Sequence, residues 1–189
     1  MTSFYSEEEL RQLGLKSYGK NVKISRNACF YGVESISIGD YVRIDDFCIL
    51  SGCVTLGNFI HIAAYTALYG GEAGIHIDDF ANLSSRICVY AVSDDYSGNK
   101  MTSPIVPEKY KDVKSAPVYI CKHTIIGTTS VVMPGVLIAE GSAFGSFSFI
   151  NRDSEEWSIN VGIPFKKIKN RSQTVKELEH QFLKEYNLL

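Results

Sequence analysis

The chain has 189 residues, of which 45% are hydrophobic and 21% charged, and its formal net charge is −2 at pH 7. This length supports one domain with a sizeable core, and the near-neutral charge gives no electrostatic basis for binding nucleic acid. No apolar stretch approaches the length of a membrane span, and the N-terminus is polar and acidic rather than signal-like, so we expect no membrane partner. The five cysteines form no C-x-x-C pair, and we expect a reduced, cytoplasmic protein.

The first predicted element is a short helix over residues 6–13. Ser6 and Glu9 have the spacing of a capping box, and Gly14 follows Leu13 as a helix terminator. We assign residues 1–19 to an N-terminal segment that contains this helix.

A six-residue apolar period, called the grid below, dominates the chain from residue 20 onward. The grid residues are Ile38, Ile44, Leu50, Leu56, Ile62, Leu68, Ile77, Leu83, Val89, Ile120, Ile126, Val132, Ile138, Phe144 and Ile150. Four positions after most of them stands a small or β-branched residue: Val42, Cys48, Val54, Ile60, Thr66, Ala81, Ile87, Thr124, Ser130, Val136, Ser142 and Ser148. Short antiparallel strands would instead show a spacing of two with longer gaps at turns. The fixed period of six predicts hexapeptide β-helix repeats, that is, an all-β solenoid with a continuous core.

Three places interrupt the period. Gly32 suggests a bulge or loop where the register slips at residues 31–37, and Gly70-Gly71-Glu72 suggests an irregular corner between Leu68 and Ile77. Residues 91–117 break the period completely, are polar and contain three prolines. An insertion in a solenoid projects from one face, and that face is often the binding face.

The end of the chain changes character after Gly162-Ile163-Pro164. Four basic residues follow there, namely Lys166, Lys167, Lys169 and Arg171. Residues 174–187 then predict a helix, with capping-box spacing of Thr174 and Glu177 and one apolar face. We therefore assign residues 20–171 to a solenoid domain and residues 172–189 to a C-terminal helix.

The grid, the single projecting loop, the run IIGTTSVVMPGVLIAEGSAFGSFSFI over 125–150 and the tail VGIPFKKIK over 161–169 together resemble the left-handed β-helix acyltransferases. The resemblance implies a left-handed parallel β-helix, a homotrimer, and acyl-coenzyme A in a groove between subunits. The stretches at 43–52, 61–72 and 92–98 are most similar to nucleotide-sugar N-acyltransferases of the anthrose-pathway type. These acylate a dTDP-linked 4-amino-4,6-dideoxyhexose, so the resemblance implies a nucleotide sugar as the second substrate.

The choice between an amine and a hydroxyl acceptor depends on the start of the loop. Many O-acetyltransferases of this family place a histidine base there, whereas residues 89–95 read VYAVSDD. A hydroxyl needs a base in order to attack, but a sugar amine with a pKa of about 8 is partly neutral at pH 7. A carboxylate would then only orient the amine, and the released thiolate would accept its proton. Asp94 is the first candidate for this anchor and Asp95 is its competitor, with loop capping as the alternative role.

Further candidates surround this anchor in the sequence. Glu72 is a second candidate catalytic acid, although plain turn chemistry explains it equally well. His123, which ends the loop excursion, is a candidate proton carrier or donor to the thioester oxygen, with a simple turn position as the alternative. Ser84, Tyr90 and Asp95 are the candidate substrate-binding residues. The Ser84 hydroxyl could bind a sugar hydroxyl, with an ordinary turn position as the alternative.

The four histidines give no support for a metal site. Gamma-class carbonic anhydrases share this solenoid and use two zinc-binding histidines five positions apart, a spacing that is missing among His61, His76, His123 and His180. We therefore predict no metal.

Coenzyme contacts are expected where coil corners carry small residues, since backbone groups there can reach the pantetheine amides. Gly127 and Thr129 mark one such corner, and Gly145 and Ser146 mark another. By resemblance to the G-x-P-x-K tail, Lys166 would meet a coenzyme phosphate, and Lys167 adds positive charge beside it. A solvated basic segment is the alternative.

Two other functions remain open at this stage. One is an O-acetyltransferase acting on a sugar or polysaccharide precursor, with His123 or a histidine of a neighbouring subunit as base. The other is a non-catalytic β-helix scaffold, against which the glycine corners and the basic tail both argue.

Overall fold

The computed structural model describes residues 3–188, which form a parallel β solenoid with three faces, one projecting loop and a C-terminal helix. This architecture confirms the fold class expected from the grid. The division into residues 1–19, 20–171 and 172–189 stays a prediction, and residues 1, 2 and 189 lie outside the described part.

Each coil contributes one short strand to each face in turn. Face I contains β2 (Lys23–Ile24), β5 (Arg43–Ile44), β7 (His61–Ile62), β9 (Asn82–Leu83), β14 (Ile125–Ile126), β17 (Ala143–Phe144), β19 (Ser158–Val161) and an antiparallel end strand, β20 (Lys166–Asn170). Face II contains β3 (Cys29–Tyr31), β6 (Ile49–Leu56), β8 (Ala67–Ile77), β10 (Cys88–Tyr90), β15 (Val131–Val132) and β18 (Phe149–Ile150). Face III contains β1 (Ser17–Tyr18), β4 (Ile36–Ile38), β13 (Val118–Ile120) and β16 (Leu137–Ile138), together with the second halves of β6 and β8.

The grid residues fill the interior. All of them are at most 3% exposed, and the small residues four positions later are at most 2% exposed. Cys48 is fully buried as predicted, and burial raises the pKa of its thiol to about 11. Buried hydroxyls bond to corner carbonyls, as when Ser130 Oγ donates to Gly127 O at 2.7 Å and Ser148 Oγ donates to Gly145 O at 2.6 Å. The narrow core thus accepts small polar residues only where the corner backbone satisfies them.

Three corners join the faces. The helix corner lies between faces III and I, where Tyr41, Phe59, Phe80, His123 and Trp157 have left-handed backbone. The open corner lies between faces I and II, where Phe47, Tyr65, Arg86, Thr129 and Phe147 have left-handed backbone. The loop corner lies between faces II and III and bears residues 91–117, which include β11 (Val92–Ser93), β12 (Lys114–Ser115) and a 3-10 turn (Glu108–Tyr110).

The two α-helices are α1 (Glu7–Gln12) and α2 (Thr174–Glu185). The capping box of Ser6 and Glu9 is confirmed, and Gly14 follows the helix with φ +75°. The capping box of Thr174 is wrong, because Gln173 is the N-cap residue and makes no side-chain cap. The Thr174 N–H instead donates to Ser172 Oγ at 3.3 Å. The predicted irregularity near Gly32 is confirmed as a 3-10 turn over Val33–Ser35.

The helix corner is closed by α2. Phe59 and Phe80 stack with their ring centroids 4.8 Å apart, and Phe182 on α2 packs against Phe59 in a T-shaped arrangement with ring centroids 5.4 Å apart. Backbone N–H groups in one coil also donate to side chains of the next, with Asp40 N to Asn58 Oδ1 at 2.8 Å and Asn58 N to Asp79 Oδ1 at 2.6 Å. This corner is consequently packed and hydrogen-bonded along its length.

Candidate functional site

The loop corner is built from glycines that let neighbouring coils approach closely. Gly71 has φ +53°, and a Cβ atom on it would lie 2.5 Å from Val92 Cγ1 at the base of the loop. A Cβ on Gly52 would lie 2.5 Å from the Gly71 carbonyl oxygen. The predicted irregular corner at Gly70-Gly71-Glu72 thus contacts the base of the projecting loop, and the register between β6 and β8 shifts beside it.

Between this loop and face II lies a cavity of about 740 Å³. Face II provides one wall, formed by Tyr69, Tyr90, Val131 and Met133. The loop provides the opposite wall, formed by Val92, Ser93, Asp94, Tyr96, Pro104 and Val113. A cleft of this size, lined mostly by apolar side chains with a few polar groups, is typical of small-molecule sites.

Asp94 and Asp95 have different surroundings, although they are neighbours in sequence. Asp94 is exposed and lines the cavity. The Asp95 carboxylate instead accepts hydrogen bonds from Ser97 N at 2.9 Å, Ser97 Oγ at 2.9 Å and Lys100 N at 3.1 Å. These bonds, those from Ser97 above all, hold the pKa of Asp95 below its usual value. Asp95 therefore shapes the loop, and the cavity presents the carboxylate of Asp94.

Tyr90 is brought to the same cavity, where it stacks on Tyr69 with ring centroids 5.1 Å apart. Burial, followed by the nearby Cys88 thiol, raises the pKa of Tyr90 to about 12. Its hydroxyl therefore remains protonated at neutral pH and can act as a hydrogen-bond donor.

Two other sequence candidates, Glu72 and Ser84, do not line the cavity in a single chain. Glu72 is exposed on the irregular stretch of β8. Ser84 follows β9 at the open corner, where its N–H donates to Ile126 O at 3.0 Å and its carbonyl accepts from Thr66 Oγ1 at 3.0 Å. The strand β10 separates Ser84 from Asp94, so one chain does not bring these side chains together.

His123 lies outside this cavity and away from the loop corner. It is 4% exposed at the helix corner, 5.5 Å from the Phe80 ring centroid, and its Nε2 lies 2.8 Å from Glu179 Oε2. Although burial acts to raise the pKa of Glu179, hydrogen bonds from Lys122 and His123 outweigh it and lower that pKa. Through these contacts, His123 connects the solenoid to α2 within one chain.

The remaining histidines also lie elsewhere. His61 Nε2 lies 2.8 Å from Asp45 Oδ2, His76 stacks on Tyr119, and His180 is exposed on α2. Within residues 3–188, no three His, Cys, Asp or Glu side chains are grouped closely enough to hold a metal ion. Over the same residues, no helix is both long and apolar enough to cross a membrane.

The candidate coenzyme residues lie along the open corner and on β20. Gly127 and Gly145 stack one coil apart, so that a Cβ on Gly127 would lie 2.5 Å from Ser146 N. Thr129 has φ +62° on the same corner. Lys166 is exposed, whereas Lys167 Nζ forms an ion pair with Glu155 Oε2 at 2.6 Å.

Sequence reasoning missed most of the cavity wall. Tyr69 and Met133 each follow a grid residue directly, as does Tyr90. Because side chains alternate along a strand, the residue after an inward grid position points outward. The six-residue period that predicts the core therefore also predicts these outward wall residues. Pro104 and Val113 lie in the loop, where the period is broken and no pattern indicates them.

Comparison with known proteins gives close relatives over the whole chain, although no protein-family model matches it. An Escherichia coli dTDP-4-amino-4,6-dideoxy-D-glucose acyltransferase is 45% identical over 183 residues, covering 95% of each chain. The crystal structure of AntD, an N-acyltransferase from Bacillus cereus in complex with dTDP and 3-hydroxybutyryl-CoA, superposes with a TM-score of 0.97. That pair shares 55% identity over 99% of this chain and 100% of AntD.

A second structure of AntD carries the substitution D94N, in complex with dTDP and coenzyme A. It superposes with a TM-score of 0.96 at 54% identity, covering 97% of this chain and 100% of that one. A relative at 45% identity over nearly the full length of both proteins is sufficient to assign the family. The chain is an acyltransferase that belongs to the dTDP-amino-sugar N-acyltransferases of the hexapeptide-repeat family.

Proposed function

We propose that this protein transfers an acyl group from acyl-coenzyme A to the 4-amino group of a dTDP-linked 4-amino-4,6-dideoxy sugar, without a histidine base. Both the relative from Escherichia coli and AntD support these substrates by their names and bound ligands. Acyl-coenzyme A is a co-substrate here and is consumed in the reaction.

The observation that carries the mechanism is the lining of the loop-corner cavity. Its only carboxylate among the described residues is Asp94, and none of its described lining residues is a histidine. Asp94 is also the position at which AntD was studied with a substitution, and this chain has aspartate at the same number. An exposed carboxylate in a cavity without an imidazole suits a neutral amine, which can attack the thioester without first losing a proton.

The reaction then needs few protein groups. Asp94 accepts a hydrogen bond from the amine and directs the nitrogen lone pair at the thioester carbon. As the C–N bond forms and the C–S bond breaks, the surplus proton on nitrogen passes to the leaving thiolate, whose parent thiol has a pKa of about 8.5. Tyr90, which stays protonated, would bind the sugar. A neighbouring subunit would supply Ser84 as a further substrate-binding group and Glu72 as a second catalytic acid.

The coenzyme is proposed to lie along the open corner. Gly127, Thr129, Gly145 and Ser146 lie on this corner, where Thr129 and Ser146 are exposed, and Lys166 would bind a coenzyme phosphate. Lys167 would bind the coenzyme only after breaking its ion pair with Glu155, so we expect it to contribute less to coenzyme affinity than Lys166.

We further propose a homotrimer. Phe47, Tyr65 and Phe147 on the open corner are 50%, 54% and 60% exposed, and a symmetric neighbour would cover them. A cytoplasmic location, consistent with five free cysteines and with a nucleotide-sugar substrate, is part of the same proposal.

A paired assay tests the function. Thiol release from acetyl-CoA and 3-hydroxybutyryl-CoA is followed with a dTDP-4-amino-4,6-dideoxy sugar and with its 4-hydroxy counterpart, which differs at one atom. We expect release with the amine and at most about 1% of that rate with the hydroxyl, because no base activates it. Comparable rates would favour the O-acetyltransferase, and no release with either acceptor would favour a scaffold.

A further inference from the structure

The wall of the cavity opposite Asp94 is an ordered apolar surface. In the parallel register of face II, Tyr69 lies beside Tyr90 and Cys88 lies beside Val131. Since Val89 pairs with Val132, Met133 follows in the same column as Tyr90. The outward side chains of three successive coils therefore form one continuous strip.

The cavity lining combines polar and apolar groups on different elements. Ser93 and Asp94 follow Val92 on the loop, whereas Val131 and Met133 lie on the coil next to Tyr90. A ligand that matches this lining has a hydrogen-bonding group for Asp94 and an apolar group for Val131 and Met133.

The reaction geometry determines which substrate part meets each end. This assignment of substrate parts rests on the proposed function, in which Asp94 holds the amine. Reacting atoms must come within about 3–3.5 Å, so the thioester carbon lies in this cavity as well. Everything attached to that carbon on the acyl side must then occupy space next to Asp94, away from the open corner where the pantetheine lies.

We propose that Val131 and Met133 form the compartment for the acyl chain and set its preferred length, favouring acyl groups of about four carbons over acetyl. An acetyl group has a single methyl and would leave this apolar strip largely uncovered. Each additional methylene buried against it should raise kcat/KM by about fourfold, the equivalent of burying one CH₂ group.

The test compares acyl chains on the same enzyme preparation, so that variation in the folded fraction cancels. The ratio of kcat/KM for butyryl-CoA to that for acetyl-CoA is measured with a dTDP-4-amino-4,6-dideoxy sugar, for the native protein and for Val131→Phe and Met133→Ala. We expect a native ratio on the order of 10, from two methylenes. Val131→Phe, which fills the compartment, should lower it about tenfold, and Met133→Ala should shift the optimum to hexanoyl-CoA.

Ile49→Ala is the matched control. Ile49 is also an outward residue of face II, in the same column as Ala67, Cys88 and Val131, but it lies outside the cavity. Its substitution should leave the ratio unchanged.

Three results would overturn the proposal. An unchanged ratio in both cavity variants shows that the acyl chain lies elsewhere. A several-fold change in the KM of the sugar, at constant ratio, shows that the strip holds the sugar or its base instead. A native protein that acylates no amine refutes the proposed function, and this inference with it, whereas the first two results leave the proposed function intact.

Discussion

The helix corner and the loop corner are built from the same repeat but have opposite properties. At the helix corner, aromatic side chains stack from coil to coil and α2 covers them through Phe182 and Glu179. At the loop corner, glycines replace side chains, and the loop leaves a cavity of about 740 Å³ against face II.

The two corners contribute differently, since the helix corner stabilises the fold and the loop corner provides the candidate site. Left-handed backbone is unfavourable for a bulky residue, and stacking along the helix corner compensates for it at Phe59 and Phe80. The loop corner avoids this cost with glycine and gains room for a ligand instead. Substitutions at the loop corner should therefore change activity, and substitutions at the helix corner should change the free energy of unfolding.

The largest expected effect is at the loop corner. Asp94→Asn should lower kcat on the amino sugar by about 10²-fold or more with an unchanged melting temperature, because the amide no longer orients the amine. Asp95→Asn is the matched control and should cost only a few-fold, since its remaining oxygen still accepts loop hydrogen bonds. Steady-state kinetics of both variants measure this, and a larger loss for Asp95→Asn would contradict the assignment.

At the helix corner, Phe80→Ala should lower the free energy of unfolding by about 2 kcal/mol, since a half-buried stacked ring is removed. Phe182→Ala should act on the same contact, their ring centroids being 6.4 Å apart. Urea unfolding of both single variants and the double variant should show a coupling of about 0.5–1.5 kcal/mol. Additive losses, or a loss of kcat in the folded protein, would break the separation between the corners.

A smaller effect is expected from Gly71→Ala, which brings a methyl group against Val92 and moves the base of the loop. We expect kcat to fall by about tenfold, less than the roughly 10²-fold that a 1 Å misplacement can cause in an active site. Adding Val92→Ala, which removes the clashing methyl, should restore most of the rate. Gly98→Ala also has positive φ but meets no atom within 4 Å, and should have little effect.

The smallest expected effect is pH-dependent. Glu179→Gln should lower the free energy of unfolding by about 1 kcal/mol near neutral pH, by weakening the bonds to Lys122 and His123. Because the folded pKa of Glu179 lies below the ordinary 4.5, its contribution is present above that pH and is lost as pH falls through the folded pKa. Melting curves of both proteins should therefore converge below about pH 4.5, and a constant difference down to pH 3 would contradict this.

The core could be predicted residue by residue, because a period of six places the same side of the chain inward at every strand. The repeat places Cys48 and Thr66 inward, for example, and both are fully buried. The sequence predicts the candidate site only in part. It points to Asp94 and Tyr90, which share a cavity, but not to Tyr69 and Met133, although both follow grid residues directly.

Sequence by itself determined the solenoid, the inward residues and the place of the loop, since all three follow from the length and interruption of one repeat. Only the tertiary structure decided which corner each residue occupies. Because the grid is identical on all three faces, the sequence does not show on which face the repeat resumes after the loop. In the structure, Ser85 and Thr128 are in contact on the same corner although they lie 43 positions apart in the chain. For the same reason His123 follows the loop in sequence but lies at the helix corner, where Phe80 and Glu179 hold it.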